Sequence, residues 1–527
     1  MLHLKERSSF FGIALCSCAI FCVLFLGWSG SGYGGTTPSF TWTVDAVYPV
    51  PEESVAVGKA AIARNAMFRE VVTNLSTGGR GASLEKFRST RGDVYRIKSK
   101  SRMPLDDFRR QFHSEIAKKI SFLSGPVRMS ISGKSPAGGS LTVVVDSNPS
   151  TGYHWVADSS SGAEVVFKKS TFHKRSFKRG AAQSQHLVFT SRQVKAAQVD
   201  LVYRRPWRKQ DSENIQIKIE TDDVLPEVMD LSDPFAASEI SPDAYQESPG
   251  QRSYLKDATA LPSSYDWRTY GVVPDVRDQG SCGSCFAFGT VGIMESAMKI
   301  SGWPMTNLSE QFLVSCNKDK WNCNGGLTAH KYHYDTLGKS QTVVGAVLET
   351  DMPYTATNGS CRVAYNHPYM LSNWSFITTN EFSLATVDQI KTAIYNYGPI
   401  TAGICAGDVF SNYTSGIYST DETTTTCGGN STNHQIILVG WNDNNGVDID
   451  GYWILRNSWG TGWGDSGYMK IKYGTSRVGE GTSYVTVALP ISFYASFARA
   501  GIWKWNGSSW TQTTPYNPQM MTASGSY

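Results

Sequence analysis

The stretch Gln279-Gly280-Ser281-Cys282-Gly283-Ser284-Cys285-Phe286 carries two cysteines in a Gly/Ser-rich turn and runs into the apolar segment 287–300. The pattern predicts a loop that delivers Cys285 to the first turn of a buried helix. A helix N-terminus concentrates partial positive charge and unpaired N–H groups, which favour thiolate over thiol. A thiolate is the better nucleophile, so the placement suits covalent catalysis. Taken alone, both cysteines could equally be structural.

A thiol nucleophile needs a base to ionise it and a third group to hold that base. Four histidines follow Cys285: His330, His333, His367 and His434. The first two lie in a polar and aromatic segment, and His367 precedes a proline. His434 opens the apolar run 435–439, which reads as a buried strand, and a strand terminus fixes an imidazole. Asn457 closes a second such run at 452–456. Its amide could accept from the imidazole and set the ring's orientation, and Trp459 would shield that hydrogen bond from water. An uncharged amide suits a site already ionised as thiolate and imidazolium. On its own, Asn457-Ser458-Trp459-Gly460 is an ordinary turn after a strand.

The elements that must position these residues belong to a long chain. At 527 residues it exceeds one ordinary domain, and its 40% hydrophobic and 18% charged content is that of a globular protein. Charge is uneven: 255–490 holds 14 Lys+Arg against 20 Asp+Glu, a net of −6, which leaves +10 on the rest. A basic and an acidic part in one chain suggest that they face each other. No nucleic-acid recognition motif accompanies the basic part. Cysteines cluster as Cys16, Cys18 and Cys22, then as seven between Cys282 and Cys427. Seven is odd, so three disulfides would leave one thiol, and disulfides imply an oxidising compartment. The cysteine spacings do not form a paired zinc-ligand pattern, so no metal and no cofactor is expected.

Lys5 and Arg7 precede the apolar run 10–26, and small residues follow, so 1–30 reads as a signal peptide or, alternatively, a membrane anchor. A lipoprotein site at Cys18 is a weak alternative. Either way the remainder is exported. The region 36–124 has no assigned role; helical spacing over 52–75 and 105–123 predicts it partly helical. Between 126 and 220, short alternating runs separated by turns (141–145, 163–168, 186–190, 198–203 and 214–219) read as an all-β sandwich. Acidic, proline-punctuated 221–254 reads as a linker. Past 490 the composition turns Trp-rich, and 491–527 reads as one β-repeat-like unit around the Asn506-Gly507 turn. Seven Asn-x-Ser/Thr sequons, Asn307 and Asn412 among them, matter only in a eukaryotic secretory pathway.

Leu261-Pro262-Ser263-Ser264-Tyr265-Asp266-Trp267-Arg268, the Cys285 stretch, Leu308-Ser309-Glu310-Gln311, Cys323-Asn324-Gly325-Gly326, Asn433-His434 and Asn457-Ser458-Trp459-Gly460-Thr461-Gly462-Trp463-Gly464 together resemble the papain-like cysteine peptidases over 255–490. Phe286 stands where Trp or Tyr is usual. The resemblance implies an α+β, two-lobed papain-like fold, a helical lobe against a β-barrel-like lobe. It makes Cys285 the nucleophile, His434 the acid–base, Asn457 its support, and Gln279 an oxyanion donor beside the Cys285 N–H. Gly325 and Gly326 would offer backbone to an extended substrate, and Leu327 and Thr328 would wall an apolar subsite. It pairs Cys282 with Cys323 and Cys316 with Cys361, leaving Cys405 for Cys427, a pair outside the usual family pattern.

Asn148-Pro149-Ser150-Thr151-Gly152-Tyr153, the turn at Gly180 and Arg205-Pro206-Trp207 resemble, in that order, the three loops of chagasin-like inhibitors of cysteine peptidases. Ser150 replaces a Thr, and the middle loop keeps a single glycine. This implies an immunoglobulin-like β-sandwich at 126–220. The expectation is an exported cysteine endopeptidase acting on peptides or proteins and held latent by its own inhibitor domain. Alternatives are an inhibitor acting in trans on other peptidases, a transpeptidase or ligase using the same residues, and a non-catalytic binding protein on the same fold.

Overall fold

The computed structural model describes 39–48, 82–89, 92–99, 103–112, 127–233 apart from 135–138, 159–164, 192–195 and 209–213, 261–487 apart from 362 and 444–450, and the strands 493–497, 501–505 and 510–514. The expected signal or anchor at 1–30, the helical spacing at 52–75 and the Asn506-Gly507 turn lie outside the described residues. No helix among the described residues is long and apolar enough to cross a membrane.

Strands β1 (Ser39–Tyr48), β2 (Ala82–Ser89), β3 (Gly92–Ser99) and β4 (Met103–Pro104) and helix α1 (Leu105–Phe112) come first. Then follow β5 (Val127–Lys134), β6 (Ser140–Ser147), β7 (His154–Ala157), β8 (Val165–Lys174), β9 (Gln183–Ser191), β10 (Ala196–Arg204), β11 (Asn214–Val224) and β12 (Val228–Asp230). One sheet runs β2-β3-β1-β11-β5-β10-β7 and the other β12-β6-β9-β8. Alternate residues of the strands meet in one core: Val127, Met129 and Ile131 from β5, Leu141, Val143 and Val145 from β6, Val199 and Leu201 from β10. A period of two aims every second side chain at the facing sheet, which is why the runs were legible as strands.

Two regions differ from the sequence reading. The described part of 36–124 is mostly strand, because β1 pairs antiparallel with β11 from Thr41↔Glu220 to Val47↔Asn214, while helix α1 covers Leu105–Phe112 and the rest of the helical spacing, 113–123, lies outside the described residues. Sheet pairing decides the conformation there. The sandwich also runs past 220: β12 pairs parallel with β6, and Leu225, Met229 and Leu231 enter the core. The first third of the expected linker is therefore structured by its apolar residues, and the stretch 234–260 lies outside the described residues.

The second body begins with β13 (Ser264–Asp266), followed by α2 (Cys285–Ile300), α3 (Glu310–Cys316), β14 (Leu371–Phe376), α4 (Val387–Tyr397), β15 (Ile400–Ile404), β16 (Ile417–Tyr418), β17 (His434–Asn442), β18 (Tyr452–Arg456), β19 (Tyr468–Lys472) and β20 (Glu480–Val487). Its sheet runs β14-β20-β15-β17-β18-β19-β16, with β13 on β17. Helix α2 is buried from Cys285 to Met298. Gly292 lets it lie close on β17: a Cβ there would stand 2.5 Å from Ile437 Cδ1. That contact brings the start of α2 near the start of β17. Disulfides join Cys282–Cys323, Cys316–Cys361 and Cys405–Cys427, and among the described cysteines Cys285 alone is unbridged. At the C-terminal side, β21 (Phe493–Phe497), β22 (Gly501–Trp505) and β23 (Trp510–Thr514) form a separate antiparallel sheet.

Candidate active site

Cys285 is the first residue of α2 and is fully buried. The Cys282–Cys323 bond fixes the loop before it. His434 is the first residue of β17, and Asn457 follows the last residue of β18. Adjacent strands β17 and β18 thus bring the two together, and His434 Nε2 lies 2.8 Å from Asn457 Oδ1. The same oxygen accepts from the Ser458 N–H at 2.8 Å. An atom accepting from a backbone N–H is the oxygen, so Nε2 carries the proton and donates. Nδ1 then holds the lone pair, and it has no hydrogen-bond partner among the described residues. Trp459 stacks on the His434 ring at 5.1 Å and covers the imidazole–amide pair.

Burial pushes the Cys285 thiol up to about 12, against the N–H groups of Gln435, Phe286 and Cys285 itself, which favour the thiolate. Burial likewise pushes His434 down to about 4, opposed by the Asn457 hydrogen bond. Burial thus works against the thiolate and the imidazolium alike. The reason is dehydration, which penalises both charged forms. Gln279 is also fully buried: Oε1 accepts from Ser458 Oγ at 2.7 Å and Nε2 donates to the Cys282 carbonyl at 2.9 Å.

The sandwich packs on this site. The Arg179 N–H donates to Gly326 O at 3.0 Å, and the Gly326 N–H returns to Arg179 O at 2.9 Å. The Gly180 N–H donates to Asn433 O at 2.8 Å, and Gly180 O accepts from Asn148 Nδ2 at 2.8 Å. Gly180 and Gly283 touch backbone to backbone; a Cβ on Gly180 would stand 2.1 Å from Gly283 O, so only glycine fits. The turn Pro149–Thr151 is buried and offers Ser150 O to Trp459 Nε1 at 2.9 Å. Gly152, at φ 77°, packs under Trp207, where a Cβ would meet the ring at 2.3 Å. Trp207 stacks on Trp459 at 5.3 Å and meets Trp463 edge-on. Arg205, followed by Pro206, is buried; it donates to Thr151 O, to both oxygens of Asp278 and to Gly280 O. All three loops therefore sit on the elements around Cys285.

Several participants were missed by the sequence reading. Arg179, one residue before the expected Gly180, makes the backbone pairing, and its side chain is buried against Glu381, Glu480 and Thr432. Asp278, beside Gln279, receives Arg205 and Arg208. His154 faces Asp408 at 3.5 Å, and Lys174 Nζ donates to Thr432 O. The only hint was the opposite charge of the two parts. The expected apolar subsite also needs correction. Leu327 is buried in the core behind, and Thr328 donates through N–H and Oγ1 to Glu381 Oε1, so the pocket floor is acidic. No group of His, Cys, Asp or Glu that could hold a metal occurs among the described residues.

Residues 261–488 match the family model for papain family cysteine proteases, and residues 135–219 match that for chagasin family peptidase inhibitors. Among curated proteins, the oryzain gamma chain of Oryza sativa subsp. japonica is 34% identical over 240 residues, 44% of this chain and 62% of that protein. Pro-cathepsin H of Mus musculus is 36% identical over 231 residues, 43% of this chain and 65% of that protein. The match thus spans less than two thirds of these relatives. Among solved structures, the digestive procathepsin L2 proteinase from Tenebrio molitor larval midgut is 30% identical, covering 44% of this chain and 70% of that one, at a TM-score of 0.38.

Proposed function

We propose that this chain, which joins a chagasin-family inhibitor segment to a papain-family peptidase segment, is an exported cysteine endopeptidase held latent by its own sandwich. In the opened enzyme, Cys285 forms a bond to the scissile carbonyl carbon while His434 holds its proton. His434 then gives that proton to the leaving amine. Asn457 keeps the imidazole turned with Nδ1 toward the thiol. The developing oxyanion is received by the Cys285 N–H and by Gln279 Nε2, whose second hydrogen is not taken by Cys282 O. Water activated by His434 hydrolyses the thioester. Three disulfides support folding in an oxidising compartment.

The observation that carries the latency is the reciprocal backbone pairing of Arg179 with Gly326 beside the buried Cys285. A substrate needs the same strip of backbone, so the loop and a substrate exclude each other. Attachment in one chain gives an effective concentration up to the millimolar range, so even modest loop contacts suffice. The test compares peptide hydrolysis by the full chain and by its Trp207→Ala variant. Latency predicts a more active variant; equal activity in both overturns it.

A further inference from the structure

We infer that the peptidase prefers arginine at the residue immediately before the one whose carbonyl is attacked. This rests on the peptidase reading above and assigns its substrate class. The Gly180 N–H bonds to the carbonyl of Asn433, the neighbour of His434, and Gly180 lies against Gly283, two residues before Cys285. A substrate following the same path places its reacting residue where Gly180 sits. Its preceding residue then takes the place of Arg179 and pairs with Gly326.

The pocket at that place is built for a guanidinium. The Arg179 side chain is 2% exposed. Its Nη1 donates to Glu381 Oε1 at 2.7 Å, its Nη2 to Glu381 O at 3.1 Å, and its Nε to Thr432 Oγ1 at 3.1 Å. Glu480 Oε1 lies 3.6 Å from Nη2 and accepts from Thr432 Oγ1 at 2.7 Å. Thr328 holds Glu381 in place with two hydrogen bonds. The space comes from two glycines: a Cβ on Gly403 would stand 2.7 Å from Arg179 Nε, and one on Gly481 2.5 Å from Nη2. Glu381 and Glu480 are both buried.

When the sandwich leaves, Arg179 and Lys174 leave with it. Glu480 keeps Arg477, but Glu381 loses the guanidinium between the two carboxylates. An apolar side chain entering there would strand a buried carboxylate, which is unfavourable. A lysine would replace the charge but not the planar fork that meets Glu381 and Thr432 together. Arginine restores both.

The experiment uses the full chain in its Trp207→Ala form and fluorogenic peptides Xaa-Arg-aminomethylcoumarin, with Xaa arginine, lysine, leucine or phenylalanine. The expected kcat/KM for arginine exceeds that for leucine by about tenfold or more, because a site built to pair a polar group discriminates against analogues lacking it. Glu480→Gln and Glu381→Gln, tested separately, each lower the arginine-to-leucine ratio of kcat/KM. Cleavage with leucine or phenylalanine equal to or above arginine, unmoved by either substitution, overturns the inference and leaves the peptidase reading standing. Cleavage of none of the four, by a chain whose Cys285 still reacts with a thiol reagent, overturns the peptidase reading and the inference with it.

Discussion

Trp207 of the sandwich lies face to face with Trp459 of the peptidase body, ring centres 5.3 Å apart and planes 14° apart. Trp459 in turn stacks on His434. One aromatic column therefore runs from Trp207 to His434, the proposed acid–base. Such a pair contributes about 0.5–1.5 kcal/mol beyond the area it buries. Trp207→Ala should raise alkylation of Cys285 by about tenfold or more in the full chain, and an unchanged rate would remove the column from the closed state.

Arg205 carries the second anchor. Burial pushes the Asp278 carboxyl up, but Arg205, the Gly280 N–H and Arg208 outweigh it and hold Asp278 below the usual carboxylate range. Arg205→Met removes charge-assisted hydrogen bonds worth about 2 kcal/mol together, a conservative figure because Asp278 is partly exposed. Peptide hydrolysis by the full chain should rise roughly thirtyfold. Arg205→Lys should recover only part of the latency, since lysine cannot reach Thr151 O, Asp278 and Gly280 O at once.

Acid should loosen the closed state. Burial lowers the His154 pKa, with Asp408 opposing it, and takes His434 from 6.5 to about 4. Both bind protons more weakly when closed than when hydrated. Opening therefore takes up protons; the closed state is fully favoured above 6.5 and weakens as pH falls toward about 4. The ratio of Cys285 alkylation in the full chain to that in Trp207→Ala should climb between about pH 7.5 and about pH 5. Taking the ratio cancels the intrinsic reactivity of the thiol. A flat ratio would show that neither histidine is linked to opening.

Gln279 has a defined contribution to test. In the Trp207→Ala background, Gln279→Ala should lower kcat by about 10²–10³ with a smaller effect on KM, as for loss of one oxyanion donor. A loss confined to KM would make Gln279 a substrate-positioning group.

Gly180 meets Gly283 with no room for a methyl group. Gly180→Ala should release hydrolysis as Trp207→Ala does while leaving kcat of the released enzyme unchanged. Retained latency would mean that the loop can shift.

Much of this was legible in sequence because its determinants are local. The Gly/Ser turn before Cys285, the strand start at His434 and the strand end at Asn457 each announce a position in the chain. The sandwich strands show in their alternation. What stayed hidden depends on partners far away in sequence. Strand β1 alternates Phe40, Trp42, Val44, Ala46 and Tyr48, yet its pairing with β11 spans the whole sandwich. The acidic pocket draws Glu381, Thr432 and Glu480 from three separate segments, so the neighbouring Leu327 and Thr328 pointed to an apolar subsite instead. Arg179 was overlooked because a lone arginine in a basic turn reads as a solvated charge.

Closure of the chain's own loops over Cys285 is tested most directly by the alkylation rate of that thiol before and after the chain is cut between residues 234 and 260 and the two bodies are separated. A slow rate in the intact chain and one at least about tenfold faster after separation is the outcome this account predicts. Equal rates before and after would contradict it.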